Sequence, residues 1–411
     1  MGKRISLMLV LSLMLVATLL AACGGDGGNA TSSNPTTITV WGMGTEGDNL
    51  KVLASDFMKK NPDIHVQVQA IPWSNAHQKF LTSIAGNQTP DVAQMGTTWM
   101  SEFARADAFD PTPGNIASSQ FFKSAWDTTV VNGTSYGVPW YVETRVLFYR
   151  TDMAQKAGIT APPQTWDELL ADAKAMQQKG GAKYGIALSS NDWEEFIPFV
   201  WQSGGQLVQG DKFTLNTPHV VDALDYYRSF YQAGVTPQTQ PQGFDVAQSF
   251  VQGQSAMFIS GPWEVGLVQQ DGGTSIAGKW AVAPLPKKLT STSFLGGANM
   301  VVFKNSQHRE AAWKFVQYAS QPDVQVKWYN TVKDLPAVQA AWNDKALAED
   351  KNLAVFHKQL DDAKGPPVIT TWEQVATVID NDMEQVMFGK MTSQQAANDM
   401  QQKATAIGMG S

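Results

Sequence analysis

The sequence predicts an α/β protein built as two lobes. Short apolar runs of strand length alternate with helical patterns, which gives mixed layers. About 375 residues follow the N-terminal leader and tether, more than a single core usually holds. The last quarter, from Glu310 onward, is almost entirely helical in pattern, broken near Pro336 and at Gly365-Pro366-Pro367.

"TITVW" (37–41) reads as a strand, and the next segment places Leu50, Leu53, Phe57 and Met58 on one helical face. "IHVQVQA" (64–70) alternates apolar and polar residues with the period of two that marks a half-buried strand. Further buried-strand candidates are "DVAQM" (91–95), "RVLFY" (145–149), "YGIAL" (184–188), "SAMFIS" (255–260), "WAVAP" (280–284) and "MVVF" (300–303). Thr165-Trp166-Asp167-Glu168 forms a capping box before a helix through Met176. Thr217-Pro218 sets a cap and an N1 proline before "HVVDALDYYRSF". No repeat of 20–50 residues occurs.

The chain begins with Lys3 and Arg4 before "ISLMLVLSLMLVATLLAAC", an apolar run of signal-peptide length that ends in small residues and Cys23. "LAAC" resembles the lipobox of bacterial lipoproteins, which implies cleavage before Cys23 and lipid on that residue. Residues 1–22 are thus expected to be a leader and 23–36 a flexible tether, rich in Gly, Ser, Thr and Asn. Loss of Lys3 and Arg4 with the leader takes the formal charge from −7 to −9.

An acidic chain without a Lys/Arg run argues against a nucleic-acid partner. Cys23 is the only cysteine, so lipidation leaves no thiol for a disulfide, a nucleophile or zinc. The five histidines form no HxxH or HExxH spacing and no GxxxxGK[ST] loop occurs, so neither a metal nor a cofactor is expected.

Tryptophan is the conspicuous residue, with 14 in the chain. Trp73, Trp99, Trp140, Trp193 and Trp263 follow turn residues, whereas Trp166, Trp313, Trp328 and Trp342 lie inside helical patterns and read as packing. Aromatic faces on loops, beside carboxylates and amides with few cations, suit neutral polyhydroxylated molecules. The C–H face of a sugar ring stacks on indole, and its hydroxyls need directed acceptors. Glu143, Asp192, Glu194, Glu195 and Glu264 keep a glycan-cleaving enzyme open as a lesser alternative, since glycoside hydrolysis needs two carboxylates.

Five segments then fall into a recognisable order: "ITVWGMGTEGDNLKVLASDFMKKNPDIHVQVQ", "GNQTPDVAQM", "VPWYVETRVLFYRTDMAQKAGITAPPQTWDELL", "VQGQSAMFISGPW" and "GGANMVVFKNSQHREAAWKFVQYAS". The chain resembles, from about Ile38 to Ile407, the extracellular solute-binding proteins of ABC importers that bind maltose, trehalose and other oligosaccharides. The resemblance implies a periplasmic-binding-protein (flytrap) fold with a hinge of crossing strands and a helical C-terminal region. Crossings are expected near Val142–Val146, Phe294–Asn299 and Leu335–Pro336. The implied lobes are 37–142 plus 297–336 and 143–296 plus 337–411.

The same resemblance implies ligand contacts at Thr45, Glu46, Thr98, Trp99, Glu143, Trp193 and Glu194, with stacking platforms at Trp263 and Trp372. Thr45 and Glu46 depart from a charged pair frequent in maltodextrin binders. Gly297 and Asn299 are further candidates, as are Tyr141 and Arg145, the latter as a contact or as a partner that orients Glu143. Trp73 stays open between an edge contact and a loop anchor. Trp41 reads as packed under the site and Trp201 as core. The expected protein is a lipid-anchored monomer, facing outward, that passes an oligosaccharide to a membrane permease without making or breaking a bond. A charged solute such as a glycerol phosphodiester is the alternative ligand, and it would need a cationic cluster where only Arg145 stands.

Overall fold

A computed structural model of the chain describes residues 35–240 and 243–410. The leader and Cys23 lie outside the described residues, as does most of the tether.

The first strand, β1 (Thr36–Met43), turns Ile38 and Val40 inward and pairs in parallel with β2 (Ile64–Ile71) and β3 (Val92–Gly96). In β2 the predicted alternation is visible, with Ile64 and Val66 buried and His65 and Gln67 exposed. Between β1 and β2 runs α1 (Gly44–Lys60), which buries Leu50, Leu53 and Phe57 on one face. Each such side chain contributes about 1.5–3 kcal/mol when fully buried. The crossover to β3 carries α2 (Trp73–Ala85), and α3 (Met100–Arg105) follows β3.

Further strands, antiparallel to their neighbours except for the last, complete this sheet. β4 (Val138–Thr144) belongs to it, and after Arg145 alone the chain enters β5 (Val146–Arg150) of a second sheet. The second sheet is antiparallel, with β6 (Met257–Ser260) and β7 (Trp280–Ala283) on either side of β5. The chain returns along β8 (Ser293–Val302), which pairs with both β4 and β3. Two short strands, β9 (Leu335–Pro336) on β4 and β10 (Ala363–Lys364) beside the start of β8, finish the seven-stranded sheet, ordered β9-β4-β8-β3-β1-β2.

The expected strand at 184–188 makes only isolated bridges, from Tyr184 to Ser255 and from Ala187 to Phe258. Two of its other amides are taken elsewhere: Ile186 N–H by the Val235 carbonyl and Leu188 N–H by the Thr236 hydroxyl. The capping box at Thr165 is present and opens α4 (Trp166–Gln178). Thr217 holds the N-cap position of α6 (Pro218–Gln232), yet its hydroxyl makes no capping bond. Between these two helices lies α5 (Trp193–Gln202), capped by the Asp192 carboxylate, which accepts from the Glu194 and Glu195 amides.

Trp263 does not trail the strand before it but opens α7 (Trp263–Ile276). The C-terminal helices are α8 (Arg309–Ala319), α9 (Pro322–Val332), α10 (Lys351–Leu360), α11 (Trp372–Met387) and α12 (Ser393–Ile407). The residues just after β9 stay with the first sheet and its helices. Ala337 accepts from Phe122 N–H, and Val338 N–H donates to the Gln325 side chain at 3.0 Å.

Candidate functional site

One cavity of about 380 Å³ gathers all but two of the predicted contact residues: Thr45, Glu46, Trp73, Thr98, Trp99, Tyr141, Glu143, Arg145, Trp193, Glu194, Trp263 and Gly297 line it. The fold explains the convergence. Helices α1, α2, α5, α7 and α11 all start at the cavity, and a turn of 3-10 helix (Thr97–Trp99) follows β3 into it. Glu46, Glu194 and Glu373 therefore sit in first helical turns, where the helix dipole favours a carboxylate by about 0.3–1 kcal/mol.

The indoles form much of the wall. Trp73 and Trp99 meet edge to face with centroids 5.5 Å apart. Trp73 is 38 % exposed, the most open of these rings. Across the cavity, Trp193 packs edge-on against Phe294 at 5.6 Å. The Trp263 ring folds back over Gly261 so closely that any Cβ there would overlap it, which accounts for the glycine before Pro262. Gly297 adopts φ +126 and lies against the Tyr141 backbone, where a side chain would be both strained and obstructed.

Arg145 occupies the single position between β4 and β5. Its Nη1 donates to Glu143 at 3.0 Å, its Nη2 contacts Glu194, and its guanidinium lies 4.8 Å from the Trp263 ring centroid. One guanidinium does not neutralise the buried acids around it. Burial pushes Glu194 up to about 8 despite Arg145, with Glu143 and Asp192 adding repulsion. Burial likewise raises Glu143 against the pull of Arg145, while the surrounding carboxylates raise the arginine further.

On the other side, burial takes Glu46 up to about 7, and its charge is opposed further by Glu143. Glu46 also contacts the carboxyl of Asp334, itself raised well above the carboxylate range by burial and by Glu46. A buried carboxyl beside another acid holds its proton more tightly. The Trp328 indole donates to Asp334 at 2.9 Å.

Two expected contacts fail. Trp372 is only 1 % exposed and packs edge-on beneath Trp193, at 5.2 Å. Successive helical residues diverge by about 100°, so directing Glu373 into the cavity turns Trp372 into the core. Asn299 is also buried, with its side chain bonded to Thr128 at 3.1 Å. A register shift between Ala298 and Asn299 takes it off the cavity face of β8.

The lining residues not singled out from sequence are Gly44, Gly96, Thr97, Phe294, Gly296 and Glu373. Glu373 was one position from the chosen tryptophan, and a helical-wheel phase for α11 would have selected it. Trp41 stays outside the lining, its ring against Phe80 and under Lys79, and Trp201 is buried. Glu264 is buried off the cavity with one oxygen unpartnered, and burial raises it to about 7. Among the described residues no group of three His, Cys, Asp or Glu side chains is placed to hold a metal, and no helix is long and apolar enough to cross a membrane.

The family model for the bacterial extracellular solute-binding proteins matches residues 43–326. The diacetylchitobiose-binding protein DasA of Streptomyces coelicolor is 29 % identical over 360 residues, covering 80 % of this chain and 82 % of its own. Among solved structures, the sugar-binding protein MalE of Xanthomonas citri superposes with TM-score 0.80 at 34 % identity, covering 90 % of this chain and 97 % of its own. The GacH receptor of Streptomyces glaucescens, solved without ligand and with acarbose, gives TM-score 0.85 at 26 % identity over 91 % of this chain and 98 % of its own. The fold is the two-lobe α/β fold of those receptors. The family consists of binding proteins, so the chain is not an enzyme and the glycan-cleaving alternative falls. The chain belongs to the bacterial extracellular solute-binding proteins.

Proposed function

We propose that this protein is the saccharide receptor of an ABC importer, taking a disaccharide or oligosaccharide between its lobes and delivering it to the permease. The observation that carries the reading is the wall of four indoles, Trp73, Trp99, Trp193 and Trp263, interleaved with four carboxylates in one cavity. Indole faces take the C–H faces of sugar rings, and desolvated carboxylates accept hydroxyl protons with high selectivity. The lobes we assign are 37–142 with 297–338 and 143–296 with 339–411. The last seam is placed past Val338, beyond the expected 336, because that residue bonds to Gln325 of α9.

Closure then shifts a population toward the liganded form, by no more than the ligand's preference for it. An anionic solute such as a glycerol phosphodiester is disfavoured, because Arg145 is the only cationic lining residue among the described residues and two carboxylates already hold it. Lipidation at Cys23 would tether the monomer to the outer face of the membrane.

Thermal-shift measurement of the purified full chain against a saccharide panel tests the reading. At least one saccharide raises the melting temperature if it holds, whereas stabilisation by a phosphate ester alone overturns it. Intact mass of the membrane-extracted protein tests the anchor, with a diacylglyceryl increment expected at Cys23 and none in Cys23→Ala.

A further inference from the structure

The cavity is short of positive charge, which points to a property of the ligand. Its lining holds the carboxylates of Glu46, Glu143, Glu194 and Glu373 against one cation, Arg145. That guanidinium is already engaged by Glu143 and Glu194 and lies over Trp263 and Phe294. Immediately behind the wall stand more acids. Asp334 touches Glu46, Asp192 acts on Glu143 and Glu194, and Asp380 lies near Glu373. His77 near Glu373 is itself bonded to Glu102 at 2.7 Å.

The Glu373 carboxyl lines the cavity beside the Thr98 hydroxyl and the Trp99 indole, and its enclosed oxygen, Oε1, has no hydrogen-bond partner in the ligand-free chain. A sugar hydroxyl can donate to such an oxygen but brings no charge. An ammonium group displaces the proton that burial keeps on an acid such as Glu194, raised to about 8, pairs with the carboxylate so formed, and is drawn to the indole faces as well.

We propose that the saccharide this cavity takes carries a protonated amine, seated among Glu194, Glu373 and the surrounding indoles. The inference rests on the saccharide reading above and refines it. Composition and loop aromatics alone pointed to a neutral sugar. The surplus of lining carboxylates over cations replaces that expectation with a basic one.

The test is isothermal titration of the full chain at neutral pH with ligands matched in scaffold. On the β-1,4 scaffold these are cellobiose, N,N′-diacetylchitobiose and the doubly amino chitobiose. On the α-1,4 scaffold they are maltotetraose and acarbose, which carries a secondary amine. The expected result is at least tenfold tighter binding of the amine-bearing member on one scaffold. Glu373→Gln and Glu194→Gln should each shrink that ratio several-fold, and Glu→Asp at either position should restore part of it. Equal or tighter binding of the neutral partner on every scaffold that binds overturns the amine and leaves the saccharide reading standing. Binding of no saccharide at all overturns both.

Discussion

Two walls of the same cavity solve the same problem in different ways. On one, Glu143 and Glu194 are clasped by Arg145. On the other, Glu46 faces Asp334, and the groups that temper it are other acids, an indole and its own backbone amide. The first wall has a cation to set against its acids, the second has none. The first therefore depends on one side chain as well as on the pH, the second on the pH alone.

Removing the clasp should have the largest effect. Arg145→Met leaves Glu143 and the one-third-exposed Glu194 without their partner, which costs up to about 3 kcal/mol. Urea unfolding of the ligand-free protein measures it, and a loss below about 1 kcal/mol would mean that Arg145 does not hold this wall.

The second wall predicts a dependence on pH. The folded protein keeps the Glu46 proton up to about 7, whereas the unfolded chain gives it up near 4.5. Folding stability from this group is therefore full below 4.5, falls as pH rises through 7, and is level above. Glu264, raised to about 7, adds in the same direction. For Glu46 the change approaches roughly 3 kcal/mol over that window. The melting temperature without ligand should rise by several degrees between pH 8 and pH 5.5, and a flat profile would mean that Glu46 does not keep its proton.

Trp263→Ala sharpens the first wall. It should weaken saccharide binding by about 1–3 kcal/mol, by extrapolation from interface aromatics. The ligand-free melting temperature should stay within a few degrees, and a large fall would make the ring part of the core instead. The smallest expected effect is at Asp334→Asn, which replaces an acid that burial and Glu46 hold well above the carboxylate range by a neutral amide. It should remove the cost of keeping Asp334 protonated and stabilise the protein by about 1 kcal/mol at pH 8, with less effect at pH 5, while the Glu46 part of the profile, set by burial and Glu143, persists.

Much of this arrangement was legible beforehand, and the misses have physical causes. The loop tryptophans could be read because Gly, Pro and Asn stop an element and deliver the next side chain at its end. Trp263 is the instance: the breaker was visible, though not that a helix would start on the ring itself. Trp372 failed by one residue, since the helical phase of α11 is set by packing against Trp193. Asn299 failed because an irregular register in β8 leaves no mark in the pattern of side chains. Asp334 was missed altogether. It follows a helix ended by Lys333 at φ +69, and only the folded chain carries it back to Glu46.

The four cavity indoles also give the molecule an optical property. Trp73, Trp99, Trp193 and Trp263 are four of the 14 tryptophans in the chain. Indole emission responds to nearby charge and water, and a ligand entering between these rings changes both. The native protein thus carries its own fluorescent reporter. A spectrum recorded during titration would follow occupancy without a label, and Trp→Phe replacements would show which ring reports.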